Sequence, residues 1–114
     1  MRWTQFLAGL YGLGGLIGAT FHAHILSIPA LGQAAYIALF HAAPLLFLTG
    51  RLSSLWERLS ASFFGLGVPL FTGSIYLKYL AGWERATLVA PAGGILLLIG
   101  WLLLLLSALR QPQS

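Results

Sequence analysis

Residues 91–109 read PAGGILLLIGWLLLLLSAL, and this stretch decides the class of fold. It holds 19 residues, and none of them is charged. A helix needs about 20 mostly apolar residues to cross the hydrocarbon core of a bilayer, with a range of about 17–25. The stretch therefore predicts a membrane-spanning helix that begins near Pro91, because proline is favoured in the first turn of a helix.

Three earlier segments have the same character, so the sequence predicts four spans. They cover about residues 4–26, 33–50 and 60–81, and the second is the shortest. Turn-forming residues separate the segments: Pro29 and Gly32, then Gly50, then Gly82. Residues 110–114 form a polar tail. We predict a single domain, residues 1–109, folded as an all-α integral membrane four-helix bundle.

The composition agrees with this fold. Of 114 residues, 59% are hydrophobic and 7% are charged, and the mean hydropathy is +0.89. Soluble domains carry about 25% charged residues, so the lipid bilayer is the predicted partner of most of the outer surface. The formal net charge of +4 is spread thinly between apolar runs. It forms no basic patch, and nucleic-acid binding is not predicted.

The basic residues instead predict the orientation. Four Lys/Arg residues (Arg2, Arg51, Arg58 and Arg110) fall on the side shared by both termini, and two (Lys78 and Arg85) fall on the other. Cytoplasmic loops carry the excess of Lys/Arg. We therefore expect the N- and C-termini to be cytoplasmic.

Small residues form a stripe along the first helix. At 100° per residue, Ala8, Gly12, Gly15, Ala19 and His22 lie on one face. Such stripes let membrane helices approach closely. A packing seam inside the bundle is favoured over a contact with a membrane-protein partner or a second copy, and Gly93, Gly94 and Gly100 are expected to do the same in the fourth helix. A leucine at Gly15 or Gly94 is expected to destabilise the bundle.

The histidines are the candidate functional residues. His22 and His24 lie about 200° apart on a helix, so they cannot face one partner. His41 lies deep in the second helix, where a polar ring needs a hydrogen-bond partner inside the bundle. We predict that His24 and His41 form one polar cluster with Ser74 or Tyr76, and that His22 is separate from it. The cluster is either structural or a binding site for haem b or a quinone; no metal site is predicted.

Several activities conflict with the composition. Without Asp there is no Ser-His-Asp triad, and without Cys there is no thiolate ligand or disulfide. The two acids, Glu57 and Glu84, fall in opposite predicted loops. Proton- and ion-coupled transporters place an ionisable residue, usually acidic, within a span, and only histidine is available here.

Four stretches of the chain carry recognisable motifs: ATFHAH (19–24), FHAAPLL (40–46), GLGVPLFTGSIYL (65–77) and APAGGILLLIGW (90–101). Together they resemble the domain of unknown function 423 family, small membrane proteins of bacteria with a metazoan branch. The residues that match the family's motifs are Phe21, Ala23, His24, His41, Ala42, Phe71, Gly73, Ser74, Tyr76, Pro91, Gly93, Gly94, Gly100 and Trp101. His22 stands where the family has Gly, and Thr72 where it has Ser. The resemblance implies a four-span protein of the bacterial inner membrane and implies no activity.

The predicted function is that of a non-enzymatic structural or accessory component of the membrane or of a larger membrane complex. The small-residue helix faces are the basis of this prediction. The alternatives are a haem- or quinone-binding redox accessory protein that uses His24 and His41, and a small oligomeric channel.

Overall fold

A computed structural model describes residues 3–50, 52 and 54–110. It confirms the all-α membrane fold: four helices are long and apolar enough to cross a membrane, and the described residues include no strand. In chain order the elements are α1 (Trp3–His24), α2 (Pro29–Leu48), α3 (Leu55–Ala81), a 3-10 helix (Glu84–Leu88) and α4 (Ala90–Arg110). The longest dimension is 49 Å, enough to cross the ~30 Å hydrocarbon core and reach both interfaces.

Two helices begin earlier than the hydropathy windows predict: α2 at a proline in its first turn and α3 at a side-chain N-cap. α2 starts at Pro29, which occupies its first turn. α3 starts at Leu55 because Ser54 is an N-cap: its Oγ accepts from the Glu57 backbone N–H at 3.2 Å and donates to the Glu57 carboxylate at 2.9 Å. At the start of α3, the polar residues Glu57 and Arg58 lower the mean hydropathy of the window although they belong to the helix.

The helices pack in sequence order. α1 packs on α2, α2 on α3, and α3 on α4, so α2 and α3 are central and α1 and α4 are outer. In the described part of the chain, the backbones of α2 and α4 do not meet, although both lie against α3. The main core lies among Leu45, Phe64, Val68 and Leu97.

Glycine sets the closest helix approaches. A Cβ at Gly15 would lie 2.7 Å from Leu39 Cγ and 2.9 Å from the Ala35 carbonyl oxygen of α2. A Cβ at Gly93 would lie 2.5 Å from the Phe71 backbone nitrogen of α3. The first contact supports the packing-seam interpretation of the α1 stripe, and the second shows that α3 and α4 touch backbone to backbone.

A proline in α3 is matched by a tyrosine in α1. Pro69 has no N–H, so the Gly65 carbonyl one turn earlier loses its usual donor. The Tyr11 hydroxyl donates to that carbonyl oxygen at 2.7 Å. Because an unpaired carbonyl in hydrocarbon is costly, this bond satisfies the proline site and also fixes α1 on α3.

Candidate functional site

His41 is the buried polar residue around which the site forms. It lies near the middle of α2, and only 3% of its surface is exposed. A polar ring at this depth is expected to face the bundle interior, and His41 does so. This position alone indicates neither a ligand nor an activity.

Both ring nitrogens of His41 are hydrogen-bonded. Nδ1 lies 2.7 Å from the Ile37 carbonyl oxygen, and Nε2 lies 2.9 Å from Trp101 Nε1 of α4. A carbonyl only accepts and an indole N–H only donates. His41 is therefore neutral, with its proton on Nδ1, and it accepts the Trp101 hydrogen bond through Nε2.

Aromatic rings enclose this hydrogen bond. The Phe64 ring lies 5.4 Å from His41 and 5.1 Å from Trp101 between centroids. The Phe40 ring lies 5.5 Å and 5.6 Å from the same two rings. These are edge-to-face and tilted contacts at distances typical of attractive aromatic pairs. The cluster of His41, Trp101, Phe40 and Phe64 is called the aromatic cluster below.

The aromatic cluster forms one end of a groove between α2 and α4. The groove has a volume of ≈ 380 Å³. Its lining consists of Ile37, Phe40, His41, Phe71, Gly94, Leu97, Leu98 and Trp101. A second concavity shares Ile37, Phe40 and Phe71 and extends towards Gln33 and Tyr36. The two concavities adjoin each other along α2, on the side where α2 and α4 are apart.

The structure does not bring the four predicted site residues together. His24 is exposed at the end of α1. The Ser74 hydroxyl donates within its own helix, to the Phe71 carbonyl oxygen at 2.8 Å. The Tyr76 hydroxyl lies against Gly18, where an added Cβ would approach it to 2.6 Å. His41 instead bonds to Trp101 of α4, so the partner predicted on α3 is on a different helix.

The two histidines of α1 differ in their surroundings: the His22 ring packs against α2, and His24 is exposed. His22 is half-buried and lies on the same face of α1 as Gly15 and Gly18. Its ring lies over Gly32 of α2, with Nε2 2.8 Å from where a Cβ would be. Its Nδ1 is buried and has no hydrogen-bond partner among the described residues. The turn of about 200° between the rings then directs His24 outwards. The His22 ring thus packs against Gly32, nine residues before His41 on α2.

Trp101 is the residue that the site prediction missed. An indole N–H buried in a membrane bundle needs an acceptor. His41 is the deepest histidine in the predicted spans, so matching unpaired donors to acceptors across all four helices could have identified the pair.

The sequence is similar to a known protein family and to several of its members. The sequence model of a family described as "Protein of unknown function (DUF423)" matches residues 16–94. The UPF0382 inner membrane protein YgdD of Escherichia coli (strain K12) is 38% identical over 64 residues, which cover 56% of this chain and 49% of that protein. The proteins of the same name from Escherichia coli O157:H7 and Shigella flexneri match equally. The chain thus spans about half the length of the curated relatives it matches. No solved structure is significantly similar to it.

Proposed function

The chain belongs to the DUF423 family, and we propose that it is a non-enzymatic structural or accessory protein of the bacterial inner membrane. The observation that carries the proposal is a set of four side-chain hydrogen bonds that join one helix to another. A protein that works through its outer surfaces needs a rigid bundle, and these bonds supply rigidity without a reaction centre.

Four such bonds connect different helices or helix ends. The Ser60 hydroxyl donates to the Gly100 carbonyl oxygen at 2.7 Å, which fixes α3 on α4. The Thr4 and Thr49 hydroxyls lie 2.8 Å apart, where α1 begins and α2 ends. The others are the Tyr11 bond to Gly65 and the Trp101 bond to His41.

The alternative of a bis-histidine haem site fits the structure poorly. Haem iron would need a free ring nitrogen, and both nitrogens of His41 are bonded. His24, its predicted partner, is exposed on α1. Among the described residues no group of three or more His, Asp or Glu side chains could hold a metal ion.

A quinone is the second candidate, and one observation favours it. The groove beside the aromatic cluster is apolar, open to the side and lined by ring systems, which suits a flat lipid-soluble molecule. Recognition of a quinone oxygen would require His41 or Trp101 to give up its present partner.

Thermal unfolding in detergent separates these functions. We expect His41→Ala to lower the melting temperature of the protein without added ligand, and we expect haem b or ubiquinone to leave the wild-type melting temperature and visible spectrum unchanged. Two results would favour a redox function instead. One is a Soret band in the visible spectrum. The other is a rise in melting temperature with ubiquinone that His41→Ala abolishes while its own melting temperature without ligand stays unchanged.

The accessory role is tested at the outer helices. Leu13 of α1 and Leu98 of α4 are 62% and 71% exposed. A photocrosslinking amino acid at either position, in the native membrane, is expected to give one protein adduct of defined mass. The same amino acid at the exposed Leu66 of α3 is the matched control. Adducts with lipid alone at all three positions would exclude a protein complex.

The proposed orientation places both termini in the cytoplasm, from the four-to-two Lys/Arg difference. Arg2, Arg51 and the tail residues 111–114 lie outside the described residues. Reporter fusions at Ser114 and within residues 83–86 are expected to report opposite sides of the membrane. Fusions that report the same side would exclude a four-span topology.

A further inference from the structure

A second groove, separate from the aromatic cluster, lies where α3 ends. It has a volume of ≈ 200 Å³ between α3, the 3-10 helix and the start of α4. Its lining includes Pro69, Leu70, Gly73, Leu77, Trp83 and Arg85. The proposed function assigns no role to it.

The floor of this groove is an apolar strip along α3. Pro69, Gly73 and Leu77 are spaced four residues apart, so they lie on one helix face over about 12 Å. Nothing lies within 4 Å of a Cβ added at Gly73. The missing side chain therefore leaves a depression in the lipid-facing surface that an extended chain of methylene groups can fill.

The mouth of the groove is positively charged. Lys78, Glu84 and Arg85 are the charged residues at this end of the bundle, and together they carry a net charge of +1. Lys78 Nζ lies 4.0 Å from a Glu84 carboxylate oxygen and 5.2 Å from the centre of the Tyr79 ring. Arg85 lines the groove itself.

The mouth of the groove lies at the end of α3, where a membrane-spanning helix is expected to reach the lipid headgroups. α3 ends at Ala81, where Gly82 adopts a left-handed conformation with φ 77°. Trp83 and Tyr79 flank this end and are exposed, as expected of aromatic residues at a membrane interface. A guanidinium at this level meets phosphate groups, which it binds in a bidentate manner.

We propose that this groove binds one anionic phospholipid, with the phosphate at Arg85 and part of one acyl chain over Gly73. The net positive mouth favours an anionic headgroup over a zwitterionic one. The apolar floor favours a lipid over a free anion, because inorganic phosphate gains nothing from the Pro69–Leu77 strip.

To test this assignment, the protein is delipidated, phosphatidylglycerol or phosphatidylcholine is added back, and native mass spectrometry measures how much of each lipid is retained. Wild type is expected to retain one phosphatidylglycerol in preference to phosphatidylcholine. Arg85→Gln is expected to lower retention of phosphatidylglycerol about fivefold, the effect of one basic residue near an anionic surface. Gly73→Leu places a side chain in the depression, where an added Cβ has nothing within 4 Å, and it is expected to lower retention of both lipids.

Matched controls make the result specific. Arg58 is exposed near the opposite end of α3, and Gly14 on α1 also has nothing within 4 Å of an added Cβ. Arg58→Gln and Gly14→Leu are expected to retain phosphatidylglycerol as wild type does. Equal retention of the two lipids by wild type, or full retention by Arg85→Gln, would overturn the proposal. Displacement of the lipid by inorganic phosphate alone would show a simple anion site and would also overturn it.

Discussion

α4 meets its two neighbours in different ways. Against α3 the backbones touch, because Gly93 and Gly67 leave no side chain between the helices: a Cβ at Gly93 would lie 3.0 Å from the Gly67 carbonyl oxygen. Against α2 the backbones stay apart, and the Trp101–His41 hydrogen bond crosses the gap beside a groove. Close backbone contact dominates the first junction, to which the Ser60–Gly100 hydrogen bond adds, whereas the second depends on one interhelical hydrogen bond and the aromatic rings around it. The first should therefore fail by steric overlap and the second by loss of a single partner.

The largest expected effect breaks the first junction. Gly93→Ala places a methyl group 2.5 Å from the Phe71 backbone nitrogen, and a backbone cannot move aside as a side chain can. We expect α3 and α4 to separate, with a loss of about 1–3 kcal/mol or more in the free energy of unfolding. Thermal or denaturant unfolding in detergent measures it.

Gly94→Ala is the control for that change. Its Cβ would meet only the Phe71 ring, at 4.0 Å, and alanine favours a helix over glycine by about 1 kcal/mol. Unchanged or raised stability is expected. Equal losses for the two variants would show that the α3–α4 contact does not depend on close backbone approach.

This pair also shows how far the sequence could locate the seam. The glycines predicted a close approach of α4, and the structure has one. The sequence named Gly93, Gly94 and Gly100 together and chose Gly94 for the leucine test, whereas an added Cβ makes close contacts at Gly93 and Gly100 and only an ordinary one at Gly94. Adjacent residues differ by about 100° around a helix, and the rotation of α4 depends on contacts with α3 that periodicity in one helix does not contain.

The second junction is tested through its hydrogen bond. His41→Phe keeps a ring in the aromatic cluster but leaves the Trp101 N–H without its acceptor, so we expect a loss of about 1–2 kcal/mol. Trp101→Phe leaves His41 Nε2 unpaired and should cost a similar amount. Unfolding measurements on these two variants give the single-variant free energies that a double-mutant cycle needs.

The double variant His41→Phe/Trp101→Phe completes the cycle. Removing both partners leaves no unpaired polar group, so it should lose less than the sum of the single variants. Strict additivity would mean that the bond contributes nothing and that the rings alone bridge α2 and α4.

A smaller effect is expected where a bond replaces a missing backbone donor. Tyr11→Phe removes the only described side-chain donor to the Gly65 carbonyl, and we expect a loss of about 0.6 kcal/mol, the mean for such bonds in membrane helices. Pro69→Ala restores an N–H that can bond to the same carbonyl. In the Pro69→Ala background, Tyr11→Phe should therefore cost less, as measured by the same unfolding experiment. An undiminished cost would assign the role of Tyr11 to packing alone.

The site shows the same limit of sequence information as the seam. The depth of His41 along α2 predicted a buried ring with a polar partner, and both are present. The identity of the partner was not predictable in this way, because Thr72 and Ser74 hydroxyls are satisfied by carbonyl oxygens of their own helix. Side chains that can bond locally are poor candidates for long-range partners, whereas an indole N–H has no such local acceptor in regular helix.

The smallest expected effect concerns His24, which matches a family motif yet is exposed at the end of α1. Exposed side chains without special contacts usually change stability by less than about 0.5 kcal/mol when they are replaced. His24→Ala should therefore leave the unfolding free energy within that range, whereas His22→Ala should lower it more, because the His22 ring covers Gly32 between α1 and α2. The order expected across the three histidines is His41, then His22, then His24. The contrary result would be a loss for His24→Ala equal to that of His41→Ala, together with non-additive losses in the His24→Ala/His41→Ala double variant. It would show that the two rings share a site, as the sequence predicted.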